Sequence, residues 1–196
     1  MSEQKGVWRT ICGRKVFIAE GQTLTEAMRA SGKFADDIID AVDKNENDKA
    51  KKKQAADDMT EEQLADFLGE EFKDVKGQAA IKKLMQEKRG HVKGAFVRED
   101  IGAIDLFWGN GDVGLQHILD RREEQGIETS EFVEDMTEVV EQGQFGGPAK
   151  SKDSFIFRTK DKSAVIAYTF KGNDVQYVLS SFMSHGGGKG KKKPPQ

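Results

Sequence analysis

The sequence predicts an α+β protein, with helices packed on one face of a small antiparallel sheet and a small hairpin-and-helix module in front. Three observations predict it. Segments 154–159, 164–170 and 175–182 are rich in β-branched and aromatic residues. They are separated by the turn-length gaps Asp161-Lys162 and Gly172-Asn173-Asp174, which implies an antiparallel meander. Two strand candidates at 94–98 and 102–108 precede two stretches of helical spacing at 115–125 and 130–142. Composition shifts at Gly90, where a polar, helix-patterned region gives way to this strand-and-helix series.

The elements follow in order. Residues 7–18, VWRTICGRKVFI, read as a hairpin turning at Cys12-Gly13-Arg14. A two-stranded hairpin buries too little apolar surface to fold alone, so it is expected to dock on a neighbouring part of the chain, on a second copy or on another protein. Residues 23–31 form a helix candidate. Thr23 is its N-cap, Glu26 completes a capping box, Leu24, Ala27 and Met28 make the apolar face, and Ser31-Gly32 stops it. Residues 43–58, DKNENDKAKKKQAADD, have only alanine as apolar content and read as a linker or a solvated helix. Helical spacing returns over 60–72 and 74–89, with Phe67, Phe72, Ile81, Leu84 and Met85 as the buried set. Residues 143–152, with Gly146-Gly147-Pro148, read as a loop, and GGGKGKKKPPQ (186–196) as a flexible basic tail. The expected organisation is an accessory module at 1–42, a linker at 43–58, a helical segment at 59–89, a main domain at 90–185 and the tail.

Composition bounds the function. A length of 196 residues fits one domain with an appendage. The 36% hydrophobic and 33% charged content implies that part of the chain is loosely packed. A net charge of −3 predicts no general affinity for nucleic acid. Cys12 is the single cysteine, so neither an internal disulfide nor a cysteine cluster for zinc is expected. No apolar run approaches membrane-spanning length, and MSEQKGVWRT lacks the apolar core of a signal peptide. The expected place of action is the cytoplasm, of a bacterial host or of a target cell.

The stretch HVKGAFVREDIGAIDLFWGNGDVGLQH (91–117) places a histidine in the first turn of a helix, behind a glycine-rich turn and next to a sheet. Three pieces carry a family resemblance: GHVKGAFVREDIGAIDLFWG (90–109), GLQHILDRR (114–122) and YVLSSF (177–182). They resemble the phage-borne branch of the Barnase–EndoU–Colicin–RelE-like (BECR) ribonucleases. The leading VWRTICGRKVFI segment, with GQTL and SGKF after it, is similar to a short module that accompanies phage head-morphogenesis proteins and phage-linked toxins. The resemblance implies a barnase-like fold of helices on a small sheet. It also implies a metal-independent endoribonuclease that uses no cofactor and attacks with the 2′-hydroxyl to leave a 2′,3′-cyclic phosphate. The partners it implies are RNA, with tRNA among the candidates, and an immunity protein or another phage or host protein. Self-association of the chain is a further expectation.

Such cleavage needs a base for the 2′-hydroxyl, a proton for the leaving 5′-oxygen and cations on the phosphate. His117 matches the family's helix histidine and is the expected acid–base group; the plain alternative is a histidine that only packs or caps. Arg121 lies four residues on, on the same helical face, and its fork suits phosphate better than Arg122. Against it, Glu123 and Glu124 follow at once, as on a solvated face. Arg158, in a strand, is the second expected clamp, and Arg98 is a further candidate. Ser180 matches a position where the family commonly has threonine, and its hydroxyl is expected to bind a phosphate oxygen. It shares a strand face with Gln176, Val178 and Phe182 if the strand alternates regularly. Trp108 could stack a base or sit in the core. His91, before the first strand, is expected at a solvent-contacting position, and His185 is expected to be incidental. Residues 91–185 carry 10 Lys and Arg against 16 Asp and Glu, the wrong sign for an RNA binder. The rival reading is therefore a non-catalytic, phage-encoded interaction or structural protein on the same fold.

Overall fold

The computed structural model describes residues 5–51 (backbone alone for 47–51), 58–150 and 153–183. His185, the tail and residues 52–57 of the predicted linker lie outside the described residues. Among the described residues, eight strands and six helices run in the order β1 (Gly6–Ile11), β2 (Arg14–Ala19), α1 (Leu24–Ser31), α2 (Asp36–Lys51), α3 (Glu61–Leu68), α4 (Gly77–Glu87), β3 (His91–Arg98), β4 (Gly102–Phe107), α5 (Leu115–Glu123), α6 (Thr129–Gln142), β5 (Gln144–Pro148), β6 (Ser154–Arg158), β7 (Lys162–Ala167) and β8 (Tyr177–Met183). The fold is α+β, as expected.

The main sheet has the order β3-β4-β8-β7-β6-β5. The expected meander forms, with β7 antiparallel to both β6 and β8. The sheet as a whole is mixed, however, because β8 runs parallel to β4. That seam is short, joined at Asp105 and Tyr177, and the Gln176 side chain reinforces it. Gln176 Nε2 donates to the carbonyls of Ile101 (3.1 Å) and Ala103 (2.8 Å). The segment read as a loop at 143–152 contains β5, an edge strand on β6. The ring of Phe145 packs on Phe155 and Phe157, while Gly146 and Gly147 absorb a register shift before Pro148. Proline is tolerated there because an edge strand needs no inward N–H.

One sheet face packs on α4, α5 and α6 through Ile81, Leu84, Leu115, Ile118, Met136 and Val140. The other face carries a smaller aromatic cluster of Phe107, Phe170 and Tyr177, covered by Leu64, Phe67 and Leu68 of α3. The two helical stretches read at 60–72 and 74–89 form as the shorter α3 and α4, and between them Glu71 bridges to His91 beside the sheet.

The hairpin forms as predicted and docks on the main sheet. Ile11, Cys12, Val16, Leu24 and Met28 share a core with Phe155 and Tyr168. Gly102 permits the approach: its φ is +80° and a Cβ there would lie 2.8 Å from the Cys12 carbonyl oxygen. Arg14 donates to the carbonyls of Asp100 (2.7 Å) and Glu99 (2.6 Å), and Arg9 pairs with Asp174 at 2.6 Å. Thr23 and Glu26 make the predicted capping box on α1. The sequence reading ends the module's helical content at Gly32, yet α2 follows and buries Ile38, Ile39, Ala41 and Val42. Of the two alternatives for 43–58, a linker or a solvated helix, the described part, 43–51, takes the helix as the continuation of α2. Asn45 is buried there, and its amide donates to the Ser154 carbonyl. No helix among the described residues is long and apolar enough to cross a membrane.

Candidate active site

Between β4 and α5 the chain makes a tight turn. Gly109 has φ +73°, and a Cβ there would come within 1.9 Å of the Val113 carbonyl oxygen, so no other residue fits this turn. The Asn110 side chain then accepts from the N–H groups of Asp112 (2.9 Å) and Val113 (3.2 Å), folding the loop back on itself. That fold aims the Gly111 carbonyl at the start of α5, where His117 Nδ1 lies 2.7 Å from it. A carbonyl only accepts, so Nδ1 carries the proton. In the neutral ring Nε2 then holds a free lone pair, the form a general base requires. The sequence marked this turn through Asn-Gly but not the carbonyl, because a backbone acceptor has no residue signature.

His117 and Arg121 lie on the outward side of α5, opposite Leu115, Ile118 and Arg122, which face the core. Arg121 is 62% exposed and its guanidinium lies 3.6 Å from the Glu124 carboxylate, so its charge is partly occupied at the surface. Arg122 is buried instead and donates to Gln125. Burial lowers its pKa from the ordinary arginine value.

The strand hydroxyls fall differently from the regular alternation. Opposite Ile166 sits Val178, but opposite Val165 sits Ser180, so Leu179 is the extra residue of a bulge. Past the bulge the faces exchange. Ser181, opposite Ala164, joins Val178 on the face toward α6 and is 5% exposed. Ser180 turns to the opposite face with Val165, and Phe182 follows it there beside Ser163. Arg158 pairs with Ser163, so it occupies the Ser180 face as well, on a strand separated from β8 by β7. Two strand spacings are roughly 10 Å. The Arg158 guanidinium leans to the outer edge, 3.4 Å from the Gly146 carbonyl. The structure thus groups His117 with Arg121 and Ser180 with Arg158. Among the described residues no hydrogen bond or ion pair joins the two groups.

Three other candidates take structural places. Arg98 is held by Asp100 through two 2.8 Å bonds, donates to the carbonyls of Val140 and Gly143, and lies 4.1 Å over the Phe157 ring. It ties the β3–β4 turn to the end of α6. His91 is buried rather than solvent-contacting; it opens β3 with Nε2 3.9 Å from the Glu71 carboxylate. Trp108 lines a cleft of about 720 Å³ between α4, α5 and α6, with Gln116, Asp120 and Glu128. His117 does not line that cleft. Sequence reasoning also passed over Asp105, a half-buried acid at the β4–β8 seam. Burial raises its carboxyl above the ordinary aspartate range, against the Gly94 N–H that it accepts at 2.8 Å.

The sequence profile of the phage-Barnase-EndoU-ColicinE5/D-RelE like nuclease family matches residues 95–186. This part of the chain is a nuclease domain of that family. The match takes in β4, α5, α6 and the strands β5 to β8, and therefore His117, Arg121, Arg158 and both strand serines. No curated protein matches the chain. A nuclease domain acts on nucleic acid, so the net acidity of this nuclease domain has to be reconciled with a polyanionic substrate.

Proposed function

We propose that the protein is a metal-independent endoribonuclease that cuts RNA by attack of the 2′-hydroxyl. The observation that carries the reading is the Gly111 carbonyl on His117 Nδ1, which leaves Nε2 as a proton acceptor at the edge of the nuclease domain. Nε2 takes the proton of the 2′-hydroxyl as the 2′-oxygen bonds to phosphorus. The bond from phosphorus to the 5′-oxygen breaks, and the leaving oxygen takes a proton from water. Ser180 donates a hydrogen bond to a phosphate oxygen, and Arg158 and Arg121 offset the charge of the pentavalent phosphate. For this, Arg158 must exchange its long bond to Gly146 for substrate.

In this reading residues 90–185 are the catalytic unit, 1–42 an accessory module and 59–89 a helical segment between them. The substrate is RNA, with tRNA among the candidates, met in the cytoplasm of a bacterial host or target cell. A second reading, an interaction protein on the same fold, is favoured by the acidity of the domain and by the separation of Ser180 and Arg158 from His117. The test is digestion of RNA in EDTA with analysis of the new ends. A 2′,3′-cyclic phosphate supports the ribonuclease. RNA left intact, with and without bacterial extract, passes the function to the second reading.

A further inference from the structure

The outer face of the hairpin differs from the rest of the molecule. The register pairs Trp8 with Phe17 and Thr10 with Lys15 on one face, while Ile11 and Val16 are buried against the main sheet. Trp8 is 66% exposed, and its ring stands 5.3 Å from that of Phe17 at a tilt of 55°. An exposed aromatic pair of this kind buries no core. Lys15 shares that face. Lys15 follows in β2, and Lys33 reaches back to donate to the Lys15 carbonyl at 3.0 Å. Lys5, whose carbonyl accepts from the Glu20 N–H at the open end of the hairpin, falls on the other face by alternation. Among the described residues no carboxylate pairs with Lys5, Lys15 or Lys33, whereas Arg9 is taken by Asp174 and Arg29 by Asp40. Residues 5–35 carry six Lys and Arg against two Glu, the opposite sign to residues 91–185.

We propose that this face is a docking platform for single-stranded RNA, which stacks a base on Trp8 beside Phe17 and lays its phosphates along Lys15 and Lys33. The inference rests on the nuclease reading for its choice of RNA, and it answers the charge problem of that reading. An acidic catalytic domain gains a polyanionic substrate through a basic, aromatic accessory face. Charge decides the occupant: a protein partner for an apolar patch needs no adjoining lysines left without carboxylate partners, whereas stacking and phosphate contacts require both features together. Arg9 and Asp174 fasten the platform directly to the segment leading into β8, so bound RNA is held next to the nuclease domain.

The test is fluorescence polarisation of a labelled 2′-O-methyl oligouridylate titrated with the full chain. This probe lacks the attacking hydroxyl, so binding is read without cleavage. Trp8→Ala should weaken binding by roughly 5- to 150-fold, the usual weight of one stacked base. Trp8→Phe should retain most of it. Lys15→Glu with Lys33→Glu should weaken binding and flatten its salt dependence by about 1.4 in log–log slope, two phosphate contacts' worth. Melting temperatures close to wild type check that the exposed substitutions leave the fold intact. Wild-type affinity in Trp8→Ala, or no binding by wild type, overturns the proposal. So does a concentration-dependent dimer that Trp8→Ala abolishes, which would make the face a self-association surface. Trp8-dependent binding without any cleavage of ordinary RNA would instead leave this proposal standing and remove the nuclease reading.

Discussion

Asp105 shows how a single residue records its surroundings. It accepts the Gly94 N–H, yet burial at the seam raises its carboxyl above the unfolded value. A carboxyl raised on folding favours the folded state most below its unfolded pKa, about 3.9, and loses that contribution as pH rises through the higher folded value. Asp105→Asn keeps an acceptor for Gly94 and removes the ionisation. The variant should therefore melt above wild type at pH 7, with the gap closing toward pH 4; a gap that widens on acidification contradicts the account. At the same scale, parts of the candidate site could be read in the sequence and parts could not. The shared face of His117 and Arg121 followed from helical spacing. The face of Ser180 did not, because a bulge at Leu179 is set by pairing with β7 and leaves no mark in the alternation. Ser180→Ala should slow cleavage more than Ser181→Ala if the Ser180 and Arg158 face binds phosphate, measured as initial rates on the same RNA; the reverse order would move the site to the face toward α6.

Among the elements, the hairpin depends most on its neighbours. Its turn residue Cys12 is buried, which pushes the thiol up to about 12, so the native thiol is slow to react. Asp174 holds the hairpin through Arg9 and through the Thr10 N–H at 3.0 Å. Asp174→Ala strands both donors, at a cost of about 1.5–3 kcal/mol for a charge-assisted pair. Labelling of Cys12 by a thiol reagent should accelerate by about tenfold or more in that variant. An unchanged labelling rate would mean that these bonds do not hold the hairpin down. The hairpin, the α1 capping box and the meander were legible because turn chemistry and capping are local. Strand β5 and helix α2 were not. Their signal is tertiary: Phe145 is a strand residue because Phe155 and Phe157 offer it a surface, and α2 extends over polar residues because Ser154 receives Asn45.

Across the whole molecule, two surfaces of opposite charge are joined by one core. The acidic nuclease domain carries the histidine, and the basic hairpin face carries the exposed aromatic pair. The parallel seam between β4 and β8 was beyond the sequence, since which strands become neighbours across two intervening helices and three intervening strands is decided by packing. His117, held by the Gly111 carbonyl, is proposed to move the proton in RNA cleavage. The most direct measurement is the single-turnover cleavage rate of His117→Ala against wild type, in EDTA and on the same RNA. The expected rate is lower by roughly two to four orders of magnitude, the usual weight of general acid–base catalysis. A His117→Ala protein that cuts as fast as wild type would contradict it.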